Sequence, residues 1–186
     1  MFSSQDYDRF IKSCFPKNYG DWHDGLDVEA LLNLTGYERW KAERLILRGI
    51  KNNNSTSIDA AGILKMKSAS KLLKNNLQKM LVEKKHHSEV VNIAWALYKI
   101  ESYPESFDII VNHIENTNGI NAHDYEFFSI FKYLVSFGDD RRAIDFLERL
   151  ISTEDKSADK LKYIASSTLE EIRQGKRTPY GTSISS

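Results

Sequence analysis

The sequence is short of nearly everything that punctuates a sheet protein. It holds three Pro and nine Gly in 186 residues, too few for the turns that a chain of many short strands requires. It has one cysteine, Cys14, which excludes an intrachain disulfide framework and suits a reducing compartment. No apolar run approaches the roughly 20 residues needed to span a bilayer. The start, Met1-Phe2-Ser3-Ser4-Gln5-Asp6, has no basic region followed by an apolar stretch, so no secretory signal is expected. These absences lead to an expected cytoplasmic location with no membrane partner. Net charge is absent too, with 26 basic and 26 acidic side chains. A general nucleic-acid binder shows a basic excess, so nucleic acid is not the expected partner. The balance conceals an asymmetry. Residues 1–90 carry 15 Lys and Arg against 11 Asp and Glu, and residues 91–186 carry 11 against 15, which gives the molecule a basic end and an acidic end.

What the sequence does have is helical periodicity. Apolar residues recur at i, i+3, i+4 and i+7 almost throughout. Tyr7, Phe10, Ile11 and Cys14 form the first stripe, with Ser3 and Asp6 spaced as a capping box. Val28, Leu31 and Leu32 follow an N-cap at Asp27, and Gly36 ends them. Ala42, Leu45, Ile46 and Ile50 come next, up to the polar turn Asn52-Asn53-Asn54-Ser55. Ile58, Ala61 and Leu64 precede a break near Ser68, after which Leu73, Leu77, Met80 and Leu81 continue. In the second half the stripes are Val90 to Leu97, Phe107 to Ile114, Phe127 to Leu134, Ala143 to Ile151 and Leu161 to Ile172. Trp95, one residue off its stripe, is expected to be half buried. No segment alternates as a strand does.

The stripes are also in register. A shift of 34 places Ala60 on Ala94, Ile63 on Leu97, Leu73 on Phe107 and Leu77 on Val111. Shifts of 37 and 36 carry Ile93 to Ile130 and Phe107 to Ala143, and a backward shift of 31 carries Leu73 to Ala42. Such recurrence is the pattern of a solenoid, in which each helix pair buries its stripe against its neighbours. The expected fold is all-α: a right-handed α-solenoid of about four antiparallel helix pairs, with an N-terminal helix and a C-terminal capping helix. One domain is expected over residues 1–174, with a flexible tail at 175–186.

The paired stripes of residues 27–173, and above all Ala94-Trp95-Ala96-Leu97-Tyr98-Lys99-Ile100, resemble HEAT-type repeats. The period is shorter than in that family, and its turn Asp and second-helix Arg are matched only in part, by Asp139-Asp140-Arg141-Arg142. HEAT-like folds include scaffolds, adaptors, lyases, a class of DNA glycosylases and small immunity proteins of bacterial toxin systems, so fold alone does not assign function.

The residues offer little chemistry. His86 and His87 are adjacent and so point to different sides of a helix. His23, His113 and His123 are isolated, and no His or Cys pair has metal-ligand spacing. No metal, cofactor or catalytic residue is assigned. Cys14 lies on an apolar stripe and reads as a packed thiol. Lys65 to Lys85 holds seven Lys and one acid, Glu83, but neither Arg nor aromatic residues, which a base-stacking groove uses. The acidic half presents Glu101, Glu105, Asp108, Glu115, Asp124, Glu126, Asp139 and Asp140. Together with Trp22, in the loop Tyr19 to Gly25, these form the expected partner-binding set. The resemblance and the charge split together imply a non-catalytic protein-binding module. Its most concrete form is an immunity-type inhibitor that binds and blocks a cognate toxin domain, with the acidic half covering a basic toxin or nuclease surface. The alternative is a HEAT-like DNA glycosylase or other nucleic-acid-binding enzyme that recruits Trp40, Trp95 and Arg44, and a third option is a scaffold subunit.

Overall fold

The computed structural model describes residues 3–16, 25–83, 88–117, 130–154 and 159–180. All regular structure among them is helical. None of these helices is long and apolar enough to cross a membrane. The chain divides into two compact units, Met1–Ser106 and Phe107–Ser186.

In the first unit, α1 spans Gln5–Cys14, α2 Val28–Asn33, α3 Gly36–Lys51, α4 Ser55–Ile63, α5 Ser70–Val82 and α6 Ser88–Glu101. The ends follow from short polar side chains. Ser4, rather than Ser3, caps α1 by accepting from the Tyr7 backbone N–H at 3.1 Å. Ser3 instead donates its hydroxyl to Asp8 Oδ1 at 2.6 Å. Asp27 caps α2 by accepting from Ala30 N–H, and Asn54 caps α4 by accepting from Ser57 N–H; in each case an orphan donor of the first turn is satisfied. Gly36 opens α3 at φ +52°, a left-handed geometry in which a Cβ is penalised. The break near Ser68 is a 3₁₀ turn at Lys67–Ala69.

The core of this unit is centred on α4 and α6. Helix α4 packs on α6, α3, α1 and α2, while α5 packs on α6 and α3. Because both α4 and α5 pack on α6, its burial is not confined to one stripe: Val90, Val91, Ile93, Ala94, Trp95, Ala96, Leu97 and Ile100 are all buried. Trp95 is therefore not half buried as its position off the stripe suggests. It is 1% exposed because α4 offers a glycine opposite it. A Cβ at Gly62 would lie 2.6 Å from Trp95 Cζ3 and 3.0 Å from Ala96 Cα. One turn away, Asn92 Nδ2 donates to Oδ1 of the buried Asp59 at 3.1 Å. These contacts join residues 33 or 34 apart in sequence. A fixed difference of residue numbers along a contact marks two helices lying side by side in the same direction; opposed helices would give a fixed sum.

In the second unit, α7 spans Ser106–Thr117, its first residue being the last of the first unit. Residues 130 to 134 are helical and lead into a 3₁₀ turn at Val135–Phe137, and α8 spans Arg141–Ser152 and α9 Asp159–Arg173. Asp140 caps α8 by accepting from Arg142 N–H. Helix α9 packs on α8 and on the 3₁₀ turn, and Phe107, Ile110, Phe131, Leu134, Phe137, Phe146, Leu147 and Leu169 are buried. The same numerical relation recurs. Arg142 Nη1 lies 3.5 Å from Asp108 Oδ1 and Arg149 Nη2 lies 2.6 Å from Glu115 Oε1, each pair 34 residues apart. By the same argument α7 and α8, joined by these arginine side chains, run in one direction. Residues 175–180, within the segment expected to be a tail, include Arg177, which donates to Asp139 Oδ1 at 2.9 Å and to the Ile172 carbonyl at 3.0 Å.

Candidate interaction surfaces

Three residues of the expected partner-binding set, Trp22, Asp124 and Glu126, lie outside the described residues, as do His23, His86, His87, His123, Lys84 and Lys85. Of the others, Glu101 and Glu105 belong to the first unit, and Asp108, Glu115, Asp139 and Asp140 to the second. Most are engaged by a neighbour of opposite charge. Lys74 Nζ meets Glu101 Oε1 at 2.6 Å, and Ser70 donates to Oε2 at 2.7 Å. Arg142 joins Asp108 to Asp140, reaching the latter at 2.8 Å, and lays its guanidinium 4.8 Å from the centre of the Phe107 ring. Glu115 is taken by Arg149 and Asp139 by Arg177. The carboxylates are exposed or nearly so, yet an incoming basic surface would compete with arginines already in place. Glu105 is exposed at the end of the loop before α7.

These pairs set a pH dependence. Hydrogen bonds from Arg142 hold the Asp140 carboxyl below its ordinary value, and hydrogen bonds from Lys74 and Ser70 do the same for Glu101. A carboxyl that is more acidic in the folded state contributes stability above its unfolded value, and that contribution is lost as pH falls through the folded one. The melting temperature is therefore expected to fall between roughly pH 5 and pH 2. Asp140→Asn should lower it at neutral pH and make the acid-side fall shallower; an unchanged acid limb in that variant would contradict the assignment.

The basic stretch of α5 changes character in three dimensions. Lys74 is paired with Glu101 and lies 5.5 Å from the Tyr103 ring centre, while Lys71 and Lys79 are exposed. Helix α5 packs against α3, and Asn76 Nδ2 donates to the Ile50 carbonyl at 2.9 Å. Lys79 and Asn76 then share a surface pocket of about 280 Å³ with Lys51, Asn53, Met80, Glu83 and Glu89. The Arg and aromatic residues missing from the α5 sequence thus stand on its neighbour.

That neighbour, α3, carries Trp40 and Arg44, which the sequence offered to a nucleic-acid-binding enzyme, and Tyr37 beside them. Tyr37 and Trp40 are 58% and 49% exposed. Their rings stack with centroids 5.5 Å apart and planes 27° apart, and the Arg44 guanidinium lies 4.8 Å from the Trp40 ring centre. Tyr, Trp and Arg are the side chains most enriched at binding hot spots. The i, i+3, i+7 spacing of Tyr37, Trp40 and Arg44, opposite the buried stripe of Ala42, Ile46 and Ile50, is the signal that places the three together. Trp95, by contrast, is buried and presents no face to a base.

Cys14 is fully buried. Burial pushes its thiol up to about 12, against a partial pull from hydrogen bonding with Ser57 and Thr56. The thiolate is the nucleophile, so the folded chain is expected to react with a thiol reagent only through unfolding. Modification should be orders of magnitude slower than in denaturant, and rapid stoichiometric labelling of the native chain would contradict this. Among the described residues, no group of three or more His, Cys, Asp or Glu is arranged to hold a metal ion. Compared with known protein families, curated proteins and solved structures, the chain matches none.

Proposed function

We propose that this chain is a non-catalytic protein-binding module built as an α-solenoid of HEAT-like helix pairs, and that it acts as an immunity-type inhibitor that binds and blocks a cognate bacterial toxin domain. The observation that carries the reading is the recurring separation of 33 or 34 residues between contacting side chains, found on α4 and α6 in one unit and on α7 and α8 in the other. Helices laid side by side in one direction at one repeat length are what stacked pairs produce. Ser70 and Lys74 at the start of α5 meet Glu101 at the end of α6, while Met80 and Glu83 share a pocket with Glu89 at its start; that order is the one antiparallel neighbours have. The alternation of same-direction and opposed neighbours supports a stack of pairs over an irregular bundle. Stacked helix pairs in general present an extended concave face, which such modules use to hold their partners. The exposed Tyr37, Trp40 and Arg44 on α3 further support binding, because these residue types are enriched at binding hot spots.

The test is native mass spectrometry of the chain purified gently from its source cells. A complex of one chain with one molecule of a second protein is expected, stable enough to survive desalting, and addition of the chain should abolish that protein's toxicity. Recovery of the chain alone, or bound only to nucleic acid, would contradict the reading.

A further inference from the structure

We propose that the outward face of α3, carried by Tyr37, Trp40, Arg44 and Arg48, is a docking site for an extended acidic segment of a partner protein. The inference rests on the protein-binding reading above and adds the place and the chemistry of the contact.

Charge comes first. The exposed residues of α3 include Tyr37, Trp40, Lys41, Arg44, Arg48 and Lys51. The two carboxylates of the helix are drawn off this face. Glu38 accepts from the Ser4 backbone N–H at 2.7 Å and from its hydroxyl at 2.6 Å, and Glu43 accepts from Arg39 Nε at 2.9 Å. Hydrogen bonding by Ser4 holds Glu38 below its ordinary value, which keeps it ionised and tied there. Among the described residues no carboxylate pairs with Arg44 or Arg48. This contrasts with the second unit, where Arg142, Arg149 and Arg177 all have acidic partners. Two exposed arginines without an acidic partner among the described residues are complementary to an acidic ligand and speed its encounter.

The aromatic geometry favours a peptide over a nucleic acid. A base-stacking platform needs an open ring face. Trp40 has Tyr37 stacked on it from one turn before and the Arg44 guanidinium on it from one turn after, so a base would compete with both for the ring. The indole, 49% exposed, also carries a single N–H donor. A guanidinium held over the ring, on a residue that also offers an N–H donor, suits a carboxylate, which accepts hydrogen bonds from such groups. Ordering of Arg44 by the ring also reduces the entropy lost when a ligand binds. From Tyr37 to Lys51 the helix is about 21 Å long, the reach of about six extended residues.

The probe is a fluorescein-labelled peptide of about six residues alternating Glu and Phe, followed by fluorescence anisotropy on the full chain at low salt. Saturable binding is expected. It should weaken at least tenfold in Trp40→Ala and in the Arg44→Glu/Arg48→Glu double variant, and remain unchanged in Tyr163→Ala, which alters an exposed aromatic on α9. All these positions are exposed, so circular dichroism melts should match the parent. No binding, or binding indifferent to the α3 variants, overturns the proposal. Tighter binding of a single-stranded oligothymidylate that is lost in the same variants also overturns it and makes the face a nucleic-acid site. If a protein partner captured from source cells stays bound to Trp40→Ala, this inference fails while the protein-binding reading stands. If no protein is captured at all, that reading fails, and the anisotropy series still decides the chemistry of the face.

Discussion

Replacing Trp95 by Ala is expected to lower the unfolding free energy by about 4 kcal/mol. The indole is the largest fully buried side chain, 1% exposed, on a helix whose neighbours include α4 and α5. Removing it forfeits the transfer free energy of the ring and leaves a void lined by residues that belong to different helices. Those helices are held apart by further contacts, such as Asn92 to Asp59 and Lys74 to Glu101, so the cavity cannot simply collapse. A fall of about 12 °C in melting temperature should accompany the loss. An exposed or half-buried Trp95, as its place off the apolar stripe suggests, would give a change below about 1 kcal/mol, and such a result would contradict the packing described.

Filling the opposite side of the same contact should be almost as costly. Gly62→Val is expected to destabilise by about 3 kcal/mol, even though Gly is the poorer helix former. The reason is distance. The added Cβ alone would stand 2.6 Å from the indole and 3.0 Å from the Ala96 backbone, and a backbone atom cannot swing aside as a flexible side chain does. Because Gly62 and Trp95 occupy one space, the two changes should not add. In Gly62→Val with Trp95→Leu, the smaller side chain on α6 makes room for the larger one on α4. The double variant should then be more stable than the sum of the single variants predicts by at least about 1 kcal/mol. Strict additivity in urea unfolding would show that the two residues do not meet.

These two residues also show how far the sequence could be read. Periodicity located the helices well where one face is buried, as on α1 with Tyr7, Phe10 and Cys14, and the polar caps Asp27 and Asn54 stand where short side chains begin a helix. It misplaced Trp95 because α6 is buried on more than one side, and a stripe template assigns outward any residue off its line. Gly62 gave no signal of its own, since a helix-interior glycine reads as a weakness until the ring opposite it is known. The shift of 34 seen in the apolar pattern reappears in the structure as Asp108 with Arg142 and Glu115 with Arg149. The acidic residues were legible as charges, whereas their neutralisation was not, because it depends on which helix lies beside which. The α3 face was legible as spacing but not as exposure: Trp40 and Ala42 are two residues apart, and only packing decides which of them meets solvent.

The stacking register is the claim on which the rest depends, and cross-linking between α7 and α8 tests it most directly. Cys14 is buried and inert in the folded chain, so pairs of cysteines can be introduced into the full protein without removing it. Asp108→Cys with Arg142→Cys, and Glu115→Cys with Arg149→Cys, should each be joined rapidly and in high yield by a short bis-maleimide. The crossed pairs, Asp108→Cys with Arg149→Cys and Glu115→Cys with Arg142→Cys, should not. Cross-linking of the crossed pairs in place of the direct ones would mean that the two helices run in opposite directions, and would contradict the stack of repeats from which the binding function is inferred.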